Sequence, residues 1–448
     1  MRLFYISLIL SAAVASLFAA DPALTSYASV KPILKERGDR LPAELRNVDE
    51  AQWTAWSRRQ DQAIRARLQQ GDLDSMVNLL LFGTSFTKRP RIRVEDITEA
   101  SKSGALRARV DDLVAGLRSP GSNERLLFLA DLLRTQGIEL GSSATGIFIY
   151  NNVQRVLQER KTLAERAAEA KRLAAPDLDR ASLFSDRGVS LDTGILPDFS
   201  IEQTLRDLKK RGVLREGQVA RVAVVGPGLD FIDKNDQSAY DYYPQQTLQP
   251  FALFDSLVRL GLAKPESLSM SVFDISPRVI DHLHRARERA RKNTGYVEQL
   301  PRDVGRPWPL ELIAYWRSLG DQVGTPVTPI RPPELFLGLE IRAVQVRPEV
   351  VPACEPVDLN IVLERIELAA ADRFDLIIGT NIFLYYDAFE QMLALENAGA
   401  MLKLGGLLLT NDLLPEVRDG SMQRLGVTEV RYDDYGARDV VGWYQKQL

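Results

Sequence analysis

The sequence predicts an α/β protein: a mostly parallel sheet with an antiparallel last strand, preceded by an α-helical N-terminal domain. Three observations predict this. From residue 219 onward, short apolar runs alternate with helix-like segments, the pattern of βαβ units. The last two runs are joined only by Asp433-Asp434-Tyr435-Gly436, too short for a crossover, so that pair is antiparallel. Residues 41–175 instead read as helices separated by turn residues.

Composition narrows the function. The chain has 448 residues, 45% hydrophobic and 26% charged, which is ordinary for two or three globular domains. A net charge of −3 leaves no electrostatic footprint for nucleic acid. Two histidines and one cysteine are too few for a zinc site built on His and Cys. Cys354 reads as a small buried apolar residue, since nothing near it in sequence would activate a thiol. His282 and His284 lie among Arg285, Arg287 and Arg289 and read as surface residues.

The elements follow in chain order. Arg2 precedes an uncharged run over 3–20, rich in small residues, which fits a signal peptide over 1–20. Cleavage falls after Ala13-Val14-Ala15 or at Ala19-Ala20; the alternative is an uncleaved anchor, the run being just long enough at about 18 residues. Either way the chain is exported or anchored, and cytoplasmic only if the signal reading fails. The helical domain spans 21–175. Its helices are predicted over 49–70, ended by Gly71-Asp72, then 73–82, 106–117, 123–136 and 153–173. Gly83-Thr84-Ser85 is read as a helix-ending turn. Residues 176–218 are predicted to be a linker, with turns at Asp186-Arg187-Gly188-Val189 and Leu196-Pro197-Asp198, and an amphipathic covering helix over 201–210. The domain over 219–448 has strands at 219–225, 268–273, 339–346, 374–379 and 406–410, then 427–432 and 440–447. Helices are predicted at 251–262, 277–292 and 388–402.

The first strand ends in Gly226-Pro227-Gly228-Leu229-Asp230. Glycine at the carboxyl edge of such a sheet lets the backbone approach a ligand, and a helix N-terminus beyond it favours negative charge. This is a Rossmann-like nucleotide turn without its third glycine; Asp230 lies near that place. Asp274 closes the second strand, where a carboxylate accepts hydrogen bonds from ribose hydroxyls or, alternatively, caps the helix behind it. It follows Gly228 by 46 residues, where about 20 is usual. The excess holds Tyr240, Tyr242 and Tyr243: a lid, a substrate loop or inert surface. Residues 301–333 carry seven prolines with Trp308 and Trp316, and form either a cap over the site or packing at the sheet edge.

With these segments in view, residues 219–448 resemble class I S-adenosylmethionine-dependent methyltransferases, and within them the chemotaxis-receptor (CheR-type) enzymes. The resemblance rests on Asp274-Ile275-Ser276-Pro277, on Phe374-Asp375-Leu376-Ile377-Ile378-Gly379-Thr380-Asn381 with Tyr385, and on Leu402-Lys403-Leu404-Gly405-Gly406. It implies S-adenosyl-L-methionine as cofactor, held by Gly226, Pro227, Gly228, Asp230, Asp274 and Ile275. It implies an adenine loop at Asp358, Leu359 and Asn360, with Asp358 or Asn360 on the adenine amino group. Asn381, also beside the cofactor, and Tyr385 are the candidate catalytic residues. Val224 stands where the class has an acidic residue, and Thr380 where the CheR type has arginine, so the methyl acceptor stays open: a protein carboxylate or a small molecule. Two other readings remain. One is a catalytically inactive, methyltransferase-like binding or scaffolding protein of the cell envelope, since an exported enzyme would lack this cofactor. The other is a nicotinamide-dependent oxidoreductase, for which no hydride-transfer dyad is visible.

Overall fold

The computed structural model describes residues 21–93, 95–172, 188–189, 191, 193–229, 240–334, 336, 338–418 and 420–447. The predicted signal peptide, Asp230 and the first part of the predicted linker, with its turn at Asp186-Arg187, lie outside the described residues. Among the described residues, no helix is long and apolar enough to cross a membrane.

The chain opens with a short strand, β1 (Ala23–Leu24), and two helices, α1 (Tyr27–Arg37) and α2 (Glu50–Phe82). Asp49 starts α2 with a capping box: its carboxylate accepts from Gln52 N, and the Gln52 side chain accepts from Asp49 N. The two helices predicted over 49–82 are thus one, and Gly71 does not end it. Gly71 answers a different need. A Cβ there would sit 1.8 Å from the carbonyl oxygen of Val189, so glycine admits a crossing backbone against the middle of the helix. Among the described residues, four further helices follow in the N-terminal half: α3 (Ile97–Lys102), α4 (Ala105–Arg118), α5 (Glu124–Thr135) and α6 (Ser143–Arg172).

The covering helix, α7 (Ile195–Lys210), begins earlier than its apolar pattern implies. Leu196-Pro197-Asp198, expected as a turn, forms its first turn, where proline costs no hydrogen bond. The sheet domain then runs β2 (Arg221–Val225), α8 (Gln249–Arg259), β3 (Ser269–Asp274), α9 (Pro277–Arg291), β4 (Tyr296–Asp303), α10 (Leu310–Ser318), β5 (Gly324–Val327) and β6 (Leu339–Val346). It closes with β7 (Cys354–Asp358), β8 (Glu364–Arg365), β9 (Phe374–Gly379), α11 (Ala388–Met401), β10 (Leu402–Thr410), β11 (Met422–Arg431) and β12 (Arg438–Lys446).

Seven strands make the main sheet in the order β11-β12-β10-β9-β2-β3-β7. The five from β7 to β10 are parallel, and β12 pairs antiparallel with β10 and with β11. This is the predicted α/β class: mostly parallel, antiparallel at its end, with helices before it. One strand was misassigned. The run over 339–346 does not join the main sheet. It is the middle of a separate antiparallel sheet, β4-β6-β5. Its Leu-Glu-Ile-Arg alternation suits a half-exposed antiparallel strand, whereas a parallel strand buried on both faces reads as continuously apolar. The strand beside β3 is β7, whose Pro356 masks the strand signal. Proline is tolerated there because β7 lies at the sheet edge.

Apolar residues cover both faces of the main sheet. On one face, α7, α8 and α9 pack over β2 and β3 through Leu205, Leu208, Phe251, Phe254, Leu257 and Leu283. On the other, Val30, Ile33, Trp53, Trp56 and Ile64 of the N-terminal segment share one core with Phe389, Leu393 and Ile377. There β1 pairs with β8, and Trp53 donates its indole N–H to Thr25 O at 2.8 Å. Only the second part of α2 belongs to a separate helical core, with α4, α5 and α6.

Candidate functional site

A cavity of about 520 Å³ opens over the carboxyl ends of the parallel strands. Its floor starts at the turn after β2. Gly226 and Gly228 take φ values of 62° and 69°, the left-handed region that glycine enters without strain. Both are also sterically confined. A Cβ on Gly226 would lie 2.1 Å from Cδ1 of Ile382, and one on Gly228 would lie 2.4 Å from the carbonyl oxygen of Leu191. Leu191 itself lies against the turn, its carbonyl accepting from Leu229 N at 2.8 Å.

Asp274 ends β3 at the neighbouring strand tip and is 5% exposed. Its carboxylate accepts from Ser276 N at 2.7 Å, and the amides of Gly228 and Ile275 also turn on it. Burial nevertheless pushes its pKa up to about 7. The apolar side chains of Phe273, Leu359 and Ile361 form a slot beside it.

On the other side, Asn381 follows β9 with φ 58°, a conformation asparagine tolerates better than most residues. Its amide donates to Asn411 Oδ1 at 2.8 Å, and Asn411 Nδ2 donates back to Asn381 Oδ1 at 2.7 Å. Asn411 Nδ2 also reaches Asp439 Oδ2 at 3.1 Å. Tyr432 donates its hydroxyl to the same oxygen at 2.9 Å, which leaves Ser200 to donate to Tyr432 at 2.7 Å. The tips of β9, β10 and β12 are thereby tied into one polar row. Beneath it, Asp412 accepts from Phe383 N and Leu384 N, and burial pushes its carboxyl up to about 7.

Of the residues expected at the site, the cavity brings together Gly226, Pro227, Gly228, Asp274, Ile275, Leu359, Asn381 and Tyr385. Tyr385 is buried, and its carbonyl accepts from Arg67 of α2 at 2.7 Å. Asp358 and Asn360 are not in the cavity wall. Asp358 is ion-paired to Arg65 at 2.7 Å, and the fully buried Asn360 donates to Asp61 at 2.8 Å and accepts from Val362 N. Both residues clasp α2 against the sheet edge. Asp230 lies outside the described residues.

Several lining residues were not foreseen. Leu191, Thr193, Ile195 and Leu196 come from the predicted linker, and Asn411, Tyr432 and Asp439 from strand ends that carry no motif. Gln249 donates to Thr380 at 2.7 Å and lies against Asp198, whose carboxyl burial pushes up to about 8. Both insertions reach the cavity, through Tyr240 and Tyr243 and through Trp308, whereas Trp316 is core. The tyrosine loop is anchored from the helical half. The Asp241 carboxylate accepts from Thr84 N, Thr84 Oγ1 and Ser85 N at 2.7–3.0 Å, and Arg125 donates to Tyr243 O. The Gly83-Thr84-Ser85 turn thus ends α2 and holds this loop. His282 is not a surface residue. It is half-buried with Nε2 2.8 Å from the Tyr296 hydroxyl, and burial lowers its pKa to about 4. Cys354 is fully buried in β7, its thiol pushed up to about 12.

No family model matches the chain, and no curated protein matches it. Among solved structures, the N-methyltransferase NodS of Bradyrhizobium japonicum aligns with 56% of this chain and 97% of its own at 11% identity and a TM-score of 0.26. A TehB-like S-adenosylmethionine-dependent methyltransferase of Corynebacterium glutamicum aligns over 56% and 98%, at 11% identity and a TM-score of 0.23. Human N-acetylserotonin methyltransferase in complex with S-adenosylmethionine aligns over 91% and 100%, at 10% identity and a TM-score of 0.25. Likenesses this slight carry no conclusion about what this chain binds or does. What the fold and cavity define by themselves is a doubly wound α/β protein with a ligand site at the carboxyl edge of its sheet.

Proposed function

We propose that the chain is an S-adenosyl-L-methionine-dependent methyltransferase acting on a small molecule. One observation carries this reading over a dinucleotide enzyme: the described amides of the glycine turn are already engaged, Gly226 N with Phe273 O at 2.7 Å and Leu229 N with Leu191 O at 2.8 Å. The amides of Gly228, Ile275 and Ser276 already face the Asp274 carboxylate. Among the described residues, three carboxyl groups line the cavity, Asp274, Asp303 and Asp439, against one guanidinium, Arg306. A pyrophosphate would meet that lining with like charge, whereas a nucleoside with a cationic tail suits it.

The residues divide the work accordingly. Gly226 and Gly228 let the ligand approach the backbone, Asp274 accepts from ribose hydroxyls, and Phe273, Leu359 and Ile361 enclose the base. The sulfonium supplies an already activated methyl group, so the protein's part is alignment and exclusion of water. The buried slot and the fixed row Asn381-Asn411-Asp439 meet that need. The carboxylate lining also disfavours a carboxylate acceptor of the CheR type.

Calorimetry on the full chain tests the proposal, with S-adenosylmethionine, S-adenosylhomocysteine and NAD as ligands. The first two are expected to bind and NAD is not. Asp274→Ala should weaken binding roughly 100-fold, the loss of two hydrogen bonds to a charged group. Absence of S-adenosylmethionine binding at millimolar ligand, or unchanged affinity in the Asp274 variant, would refute it.

A further inference from the structure

We propose that the methyl acceptor is a small aromatic amine, held as its ammonium by Asp439; this rests on the methyltransferase reading above. Asp439 lines the cavity and is half-buried. One of its oxygens is held by two neutral donors, Asn411 Nδ2 at 3.1 Å and the Tyr432 hydroxyl at 2.9 Å. Its other oxygen accepts from Val440 N at 3.1 Å, and the strand's arginines, Arg431 and Arg438, pair with Glu429 instead. A carboxylate fixed by neutral donors and facing a cavity is set to accept a charge-assisted hydrogen bond from a cation.

The walls agree with this. Tyr240, Tyr243 and Trp308 come in from the two insertions, and Tyr385 and Tyr432 from the sheet edge. Such faces bind a flat apolar body and attract an ammonium. Asp303 adds a second carboxylate on the insertion side. An anionic acceptor would have to approach Asp439 and Asp303 against like charge. A neutral alcohol gains only a hydrogen bond from them, without the charge attraction that an ammonium adds.

The chemistry balances. The bound ammonium gives a proton to Asp439, and the freed nitrogen lone pair forms the N–C bond. The sulfonium C–S bond breaks as that bond forms, its electron pair staying on sulfur as a neutral thioether. Asp439 passes its proton to solvent, and the methylated ammonium leaves.

The test uses the full chain saturated with S-adenosylhomocysteine and three matched probes: phenethylamine, phenethyl alcohol and phenylpropionate. Binding of S-adenosylhomocysteine is measured first, and its failure removes the methyltransferase reading itself. Once it binds, the amine should bind at least about tenfold tighter than either other probe, as a desolvated charge pair provides. Asp439→Asn should cost the amine about tenfold or more while leaving the alcohol unchanged, and Asp439→Glu should recover part of the loss. Melting curves check that both variants fold. Three results overturn the amine assignment: no amine binding in the millimolar range, an alcohol or carboxylate probe binding as tightly, or an amine affinity indifferent to Asp439→Asn. Transfer of label from methyl-labelled S-adenosylmethionine gives the same choice of outcome. An alkali-stable product on the amine supports it, and an alkali-labile methyl ester overturns it.

Discussion

The two glycines of the turn differ in what confines them, and this separates their variants. Gly226 is pressed by the far end of the flexible Ile382 side chain, and Gly228 by the backbone carbonyl of Leu191. Alanine at either position is strained at its positive φ, at a cost of about 1–3 kcal/mol. Adding Ile382→Ala to Gly226→Ala should recover part of the lost thermal stability. It should do nothing for Gly228→Ala, and equal rescue of both would contradict the packing described. Buried carboxyls give a second expectation at this scale. Burial raises Asp198 to about 8, Asp274 and Asp412 to about 7, and Asp255 to about 6, all from 3.8. Between these values and 3.8 the folded chain holds more protons than the unfolded one, so stability falls as pH rises through 6 to 8. Melting temperature should therefore be higher near the acidic end of that window than at its alkaline end. Asp198→Asn should flatten the slope, and a melting temperature that climbs with pH would oppose it.

At the scale of elements, the helical half holds the tyrosine loop of the site by the turn that ends α2. Three donors from Thr84 and Ser85 converge on Asp241, which is 3% exposed. Asp241→Ala leaves those donors unpaired and releases the loop that carries Tyr240 and Tyr243. Stability should fall by about 2–4 kcal/mol. In turnover assays the acceptor KM should rise while affinity for S-adenosylhomocysteine stays within a few fold, because the glycine turn and Asp274 are untouched. A loss confined to cofactor binding would show that the loop belongs to the other half of the cavity. The antiparallel unit β4-β6-β5 has the same standing: an insertion whose strand β4 delivers Pro301 and Asp303 to the cavity.

At the scale of the whole molecule, the sheet domain is not self-sufficient. Val30, Ile33, Trp53, Trp56 and Ile64 cover the face formed with Phe389 and Leu393, and Arg65 and Arg67 tie α2 to Asp358 and Tyr385. Each such buried side chain contributes roughly 1.5–3 kcal/mol when covered. A fragment over 219–448 loses all of these contacts. It should be aggregation-prone or dye-binding, with no cooperative melt, whereas a chain starting at residue 21 melts cooperatively. A fragment that melts as sharply as the longer chain would show that the N-terminal segment is dispensable.

The parallel sheet, its antiparallel end and the glycine turn were legible because each is a local signal. A β-branched run ending in Gly226, an apolar run ending in Asp274 and a short link at 433–436 state their own geometry. Where local chemistry answers to a distant partner, the chain carries no local sign of it. Gly71 looks like a helix stop until Val189 is seen against it, and Pro356 hides a strand that only an edge position permits. Asp358 and Asn360 look like ligand contacts until Arg65 and Asp61 arrive from some three hundred residues away. The acceptor side of the cavity was out of reach for the same reason. Asn411, Tyr432 and Asp439 carry no spacing of their own and meet Asn381 only because β9, β10 and β12 lie side by side. By itself the sequence determined the class of sheet and the turn at its ligand edge, since backbone conformation and hydrophobic periodicity are short-range. Which charges face the cavity, and which are spent holding α2, only the tertiary structure decided, because that choice depends on pairings between residues far apart in the chain.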